Sequence, residues 1–117
     1  MINNTIDKQT AQHYLWGENS DSWVLADTEE LSVKQEAMQG GAKEKLHFHT
    51  HARQFFFILK GTAAFYLNNE KKMLAAQQGI LIAPQTRHFI ANETSEPLEF
   101  LVISQPTTHR DRTNVDQ

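Results

Sequence analysis

An all-β fold of short antiparallel strands, closed into a sandwich or barrel, is what this sequence predicts, and three observations predict it. Short segments rich in Val, Ile, Phe, Tyr, Trp and Thr recur along the chain, several with apolar and polar residues alternating at the period of two that a strand requires. Turn chemistry separates them at regular spacing: the stretch GENSD, the pair Gly40-Gly41, Lys60-Gly61, Asn68-Asn69, PQTR and ETSEP. The histidine-bearing centre of the chain, GAKEKLHFHTHARQFFFILKG, repeats at every second residue and not at the i, i+4 spacing of a helix. With 117 residues the chain is one domain, able to bury roughly two-thirds of its unfolded surface.

The elements follow in order. Residues 1–12 are polar and weakly patterned, an arm with at most a helical turn. Residues 13–16 and 22–26 are strands joined by the GENSD turn. Residues 31–38 alternate, and Leu31, Val33 and Ala37 are expected to face the core while Ser32, Lys34 and Glu36 face solvent, with Gln35 a polar intruder on the apolar face. The glycine pair of the QGGAKEK loop tolerates positive φ and leads to strands at 46–50 and 54–59. In the second of these, Gln54, Phe56 and Ile58 share one face and Phe55, Phe57 and Leu59 the other, so both faces should be covered, the outer one by another subunit. Residues 62–67 and 71–76 pair through an Asn68-Asn69 hairpin, because asparagine accepts the left-handed conformation. Residues 79–83 read as a buried strand, and 88–92 and 98–104 complete the series. Pro106 stops the last ladder, leaving 105–117 as a polar arm on the surface or across a neighbour. The barrel core spans about 31–104 within a single domain of 1–117, with 1–30 as its N-terminal arm and first strands; no internal repeat or low-complexity tract is present.

Composition excludes several classes of partner. The net charge is −3, from 11 basic and 14 acidic side chains without a dense basic block, so neither nucleic acid nor an anionic membrane is an expected partner. No apolar run approaches the roughly 20 residues of a membrane helix, and the first residues have neither the basic nor the apolar region of a secretory signal. Cysteine is absent, which fits a cytoplasmic protein and leaves only nitrogen and oxygen to hold a metal.

The chemistry concentrates at His47, His49 and His51, which alternate on one strand face about 6–7 Å apart, close enough for two imidazoles to converge on one ion. Gln54 opens the next strand, and His88 follows a turn that delivers a side chain to the mouth of a barrel. The expected metal ligands are His47, His49, Gln54 and His88. His51 falls where the chain must turn; it and a metal-bound hydroxide are the candidates for a catalytic base. A neutral glutamine oxygen leaves the ion its full charge, favouring borderline metals such as Zn²⁺, Ni²⁺, Fe²⁺ or Cu²⁺ over Mg²⁺ or Ca²⁺ and making a bound water more acidic; Mn²⁺ completes the candidate ions. Gln35, Phe56, Tyr14, Arg53 and Arg87 are candidate contacts for a small anionic or hydroxylated ligand. His13 and His109 sit in terminal segments and receive no role, and Trp16, Trp23 and Tyr66 read as core or interface. There is no nucleophile elbow, phosphate-binding glycine loop or HExxH helix.

These residues resemble the first motif of the cupin superfamily, G-x5-HxH-x(3,4)-E-x6-G, with Gly41, His47, His49, Gln54 and Gly61 at its spacing and Gln54 in place of the glutamate. Gly79, Pro84, His88 and Asn92 are similar to the second motif, G-x5-PxG-x2-H-x3-N, with one residue fewer between Gly79 and Pro84, Thr86 in place of its second glycine and His88 one residue early. The segments ARQFFFILKG and LEFLVISQP look like a bacterial group of uncharacterised small cupins. The resemblance implies a double-stranded β-helix, or jelly-roll barrel, with one divalent transition metal inside, held by His47, His49, Gln54 and His88. It also implies a homodimer. The expected function is a metal-dependent enzyme acting on a small polar metabolite, isomerase-, epimerase- or oxygenase-like; the alternative is a non-catalytic ligand-binding or sensing module.

Overall fold

Strands account for all the regular structure in the computed structural model, which describes residues 4–116, so the ends of the expected arm and tail, 1–3 and 117, lie outside the described residues. In chain order they are β1 (Gln12–Trp16), β2 (Ser20–Asp27), β3 (Ser32–Met38), β4 (His47–Phe48), β5 (Arg53–Lys60), β6 (Ala63–Leu67), β7 (Glu70–Leu74), β8 (Gly79–Ile82), β9 (His88–Ala91), β10 (Leu98–Gln105) and β11 (Thr113–Asn114). They form two sheets, ordered β1-β2-β3-β10-β5-β8 and β11-β4-β9-β6-β7, with every pairing antiparallel. This is a double-stranded β-helix. Its two inner faces meet in one apolar core, where Phe56 and Phe100 of the first sheet pack against Phe65 and Ile90 of the second. The Phe56 ring stands edge-on to Phe65 at 5.1 Å. A sandwich of this kind buries alternate residues of each strand, and β10 does so along its length: Leu98, Phe100, Val102 and Ser104 point inward.

Two connections set the register around the core. The β6–β7 hairpin turns through Asn68 and Asn69 at φ of 46° and 73°, the pair of left-handed residues that matches strand twist. Gly61 leaves β5 at φ of 87°, where a Cβ would lie 2.5 Å from the carbonyl oxygen of Pro97.

The fold departs from the sequence expectations in four places. First, β3 presents its other face to the interior: Ser32, Lys34 and Glu36 line a cavity, whereas Leu31 is exposed and Gln35 lies outside the barrel. A polar cavity wall carries the alternation of a solvent face, and the pattern alone does not separate the two. Second, β8 is an edge strand in which Ile82 is buried but Leu81 is 64% exposed. Third, the strand expected at 46–50 shortens to His47–Phe48, its partners limited to His88 on one side and Thr113 and Asn114 on the other. Fourth, the polar tail contributes a strand of its own. It folds back on its own barrel as β11, and the Val115 N–H donates to the Leu46 carbonyl at 2.9 Å. The outer face of β5 is open in the single chain, with Phe55 at the surface beside Leu81.

Candidate metal centre

The register of β4 against β9 places His47 opposite His88, so the two side chains issue from neighbouring backbone positions. His49 follows two residues later, and Gln54 enters from β5 of the other sheet. All four side chains are buried. The three histidines each offer a ring nitrogen, and these atoms lie within 4.8 Å of one another. Their ring centroids are 4.4 Å apart for His47 and His88, 5.0 Å for His47 and His49, and 5.7 Å for His49 and His88.

Each imidazole is held from behind. The Nδ1–H of His47 donates to the Lys45 carbonyl at 2.8 Å, that of His49 to the Asp111 carbonyl at 2.6 Å, and that of His88 to the Thr86 carbonyl at 2.8 Å. A carbonyl only accepts, so each bond fixes the proton on Nδ1 and leaves Nε2 with a free lone pair. The Nε2 atoms of His49 and His88 are buried without a partner. Gln54 repeats the pattern: its Nε2 donates to Ser104 Oγ at 3.0 Å, while its buried Oε1 has no partner. Buried polar atoms left unpaired cost about 1–3 kcal/mol each. Unpartnered lone pairs on clustered ring nitrogens, with a free amide oxygen buried nearby, are what a metal cation would satisfy, and these residues fit one.

Burial also keeps the rings neutral. It pushes His47 down to about 3, aided by the neighbouring His88 and Arg112, and His88 down to about 4; His49 is lowered for the same reason. Neutral imidazole is the ligating form, so no proton need be displaced near pH 7.

His47, His49 and Gln54 open onto a cavity of about 880 Å³ that Tyr14, Lys34, Glu36, Glu44, Phe56 and Arg112 also line. Both carboxyls are pushed up, Glu36 to about 7 and Glu44 to about 8. Burial is the main cause in each, opposed by Lys34 and Arg112 at Glu36 and by Arg112 at Glu44, whereas the nearby Glu36 adds to the rise of Glu44. Glu44 Oε1 accepts the Ile90 N–H at 3.1 Å, and its Oε2 lies 3.8 Å from the Arg112 guanidinium. Lys34 Nζ sits 5.4 Å from the Tyr14 ring centroid. The cavity thus couples two proton-holding carboxyls with two cations beside a cluster of free ligand atoms.

Of the side chains singled out from sequence, the structure brings His47, His49, Gln54, His88, Tyr14 and Phe56 to this place. It does not bring the others. Gln35 is on the outer face of β3, its amide 3.5 Å from Glu99. Arg53 and Arg87 are exposed and do not line the cavity. His51 is exposed on the β4–β5 turn, so a base acting from there would not face the cavity. Lys34, Glu36, Glu44 and Arg112 were not anticipated. The signal for Lys34 and Glu36 was present in the alternation of β3, assigned to the wrong side.

The described chain matches the family model described as Cupin domain over residues 34–104. It is 31% identical over 84 residues to an uncharacterized protein of Methanocaldococcus jannaschii, covering 72% of this chain and 67% of that one. Among solved structures it is similar to an RmlC-like cupin from Shewanella frigidimarina, with a TM-score of 0.83 at 16% identity over 93% of this chain and 96% of the other. A sugar phosphate isomerase of the cupin superfamily from Silicibacter pomeroyi gives a TM-score of 0.81 at 17% identity over 97% and 83%. At these identities the two structures share its fold.

Proposed function

This chain belongs to the cupin family, and from that premise we propose that it is a metal-dependent enzyme of isomerase or epimerase type acting on a small polar metabolite. One observation carries the reading: the ring nitrogens of His47, His49 and His88 cluster within 4.8 Å, those of His49 and His88 buried without a partner, while the free oxygen of Gln54 is buried at the charged cavity that His47 and His49 also line. His47, His49, His88 and Gln54 would hold one divalent transition metal, Zn²⁺, Ni²⁺, Fe²⁺, Mn²⁺ or Cu²⁺. Bound there, such an ion supplies Lewis acidity toward a substrate oxygen.

The remaining work falls to the chain's own side chains. Glu36 is poised at about 7, so it both takes and returns a proton near neutrality, as a general acid–base must. Glu44, at about 8, keeps its proton longer and acts as the acid of the pair. Lys34 and Arg112 present positive charge to an anionic or hydroxyl-rich substrate, and the Tyr14 and Phe56 rings give the cavity apolar wall beside them. Two proton-exchanging carboxyls favour isomerisation over oxygenation, because moving a hydrogen between carbons needs a base and an acid, whereas dioxygen chemistry does not require the pair. The name of the Silicibacter pomeroyi neighbour, a sugar phosphate isomerase, agrees in class. We place the enzyme in the cytoplasm as a homodimer; the open apolar face at Phe55 and Leu81 supports the second point.

The test is solvent exchange. Metal-reconstituted protein in D₂O is incubated with a panel of sugar phosphates, uronates and 2-oxo acids, and proton NMR follows deuterium entering the carbon next to the carbonyl. Exchange with a member of the panel, slowed about 100-fold or more by Glu36→Gln, is the expected result. Binding to the panel without exchange or product would leave a non-catalytic ligand-binding module.

A further inference from the structure

We infer that Asp111 is a positioning residue for the candidate metal centre, the point at which the C-terminal segment grips both His49 and the turn that carries the chain to Gln54. The inference rests on the metal reading proposed above and goes beyond it. The histidines differ in how they are held: His47 and His88 donate to carbonyls two residues back in their own strands' approach, whereas the partner of His49 is 62 residues away. A local carbonyl comes with the strand. A distant one must be brought there and kept there.

Asp111 does both with different atoms. Its main-chain oxygen accepts the His49 Nδ1–H at 2.6 Å. Its carboxylate accepts three successive backbone N–H groups, Thr50 at 2.8 Å on Oδ1, and His51 at 3.0 Å and Ala52 at 2.9 Å on Oδ2. Those residues are the connection between β4 and β5, so their path sets how far His49 stands from Gln54. Successive N–H groups converging on one anion form a backbone cradle, and such a carboxylate cannot be exchanged for an apolar group without freeing the turn. The flanks hold Asp111 in register: its own N–H donates to the Thr108 carbonyl at 2.9 Å, Thr113 and Asn114 pair with Phe48 and His47, and Arg112 reaches toward Glu44. The match to the family model ends at residue 104, so this clasp is supplied by a segment beyond it. A ligand's outer partner tunes metal affinity typically by 10–100-fold.

The experiment uses cobalt(II) on the chelator-stripped full chain: wild type, Asp111→Asn and Asp111→Ala. Affinity is measured by competition with a chromophoric chelator and ligand geometry by the cobalt d–d absorption at saturation. Thermal melts of the metal-free variants establish that each is folded at the titration temperature. The inference predicts affinity lowered about 10–100-fold in Asp111→Ala with a changed d–d envelope, and an intermediate affinity with partial restoration of the envelope in Asp111→Asn, which keeps one acceptor oxygen. A folded Asp111→Ala with wild-type affinity and spectrum overturns it. Should Asp111→Ala not fold, hydrogen exchange on wild type decides: cobalt should slow the amides of 50–52 and 107–115 together, and unchanged exchange there overturns the inference. A wild type that takes up no cobalt refutes the metal reading itself, a different result from either.

Discussion

Replacing Glu44 by glutamine should stabilise the metal-free protein near neutrality, by an amount that grows with pH. The Glu44 carboxyl is raised from 4.5 to about 8, chiefly by burial and further by Glu36, against the opposing pull of Arg112 and the Ile90 N–H. In the unfolded chain the same group ionises near its ordinary value. Between pH 4.5 and about 8 the folded protein therefore holds a proton that the unfolded chain has released, and folding stability from this group falls as pH climbs through that window. At about 1.4 kcal/mol per pH unit the full span corresponds to on the order of 4–5 kcal/mol. Cavity water screens part of this, since the side chain is 9% exposed, and on the order of 2–4 kcal/mol is the working figure. Glutamine retains an oxygen for the Ile90 N–H and has nothing to ionise. Urea unfolding of the chelator-treated wild type and Glu44→Gln at about pH 5, 6, 7 and 8 should give near-equal stability at the acid end and a widening advantage for the variant toward the alkaline end, at unchanged m. A difference that stays flat with pH, or a variant that is less stable at about pH 8, would refute the argument and mean that Glu44 is ionised against Arg112 throughout.

Ser104→Ala removes the acceptor that orients the Gln54 amide at 3.0 Å, and should cost about 1–3 kcal/mol in urea unfolding and roughly tenfold in cobalt affinity. Because burial holds His47 at about 3 and His88 at about 4 and lowers His49 as well, cobalt affinity should fall less from about pH 7 to 5 than at a site of three ordinary histidines; a titration series across that range reads it. Gly61→Ala forces a Cβ against the Pro97 carbonyl at a φ of 87°, and should lower stability by about 1–3 kcal/mol without altering the metal-bound cobalt spectrum.

How much of this was legible in the sequence depended on range. The alternation of His47 and His49 is a local fact of strand geometry, and the apolar alternation of β10 and the Asn68-Asn69 turn are equally local; all could be read from neighbours one or two residues away. Gln54 and His88 are legible only as the opening of the next strand and the exit of a turn, and the family spacing strengthens that reading, since nothing local says that two sheets meet there. The inner face of β3 was misassigned because the barrel encloses a polar cavity: Lys34 and Glu36 line it, and polarity marks a wet surface without saying which side of the sheet it lies on. The pairing of the tail is illegible for a different reason. Asp111 acts through contacts 59 to 62 residues distant in sequence, and a lone aspartate in a polar segment carries no pattern that would announce three backbone partners. Leu81 reads as buried on its apolar character alone, and only the sheet order reveals an edge.

Metal content tests the account most directly. Protein prepared without a histidine tag or chelator is analysed for transition metals by elemental mass spectrometry, alongside the His47→Ala/His49→Ala double variant. About one equivalent of a divalent transition metal in the wild type, lost in the double variant while the fold persists, is the predicted result. Wild-type protein that carries none and takes up none of Zn²⁺, Ni²⁺, Fe²⁺, Mn²⁺ or Cu²⁺ on reconstitution would contradict it.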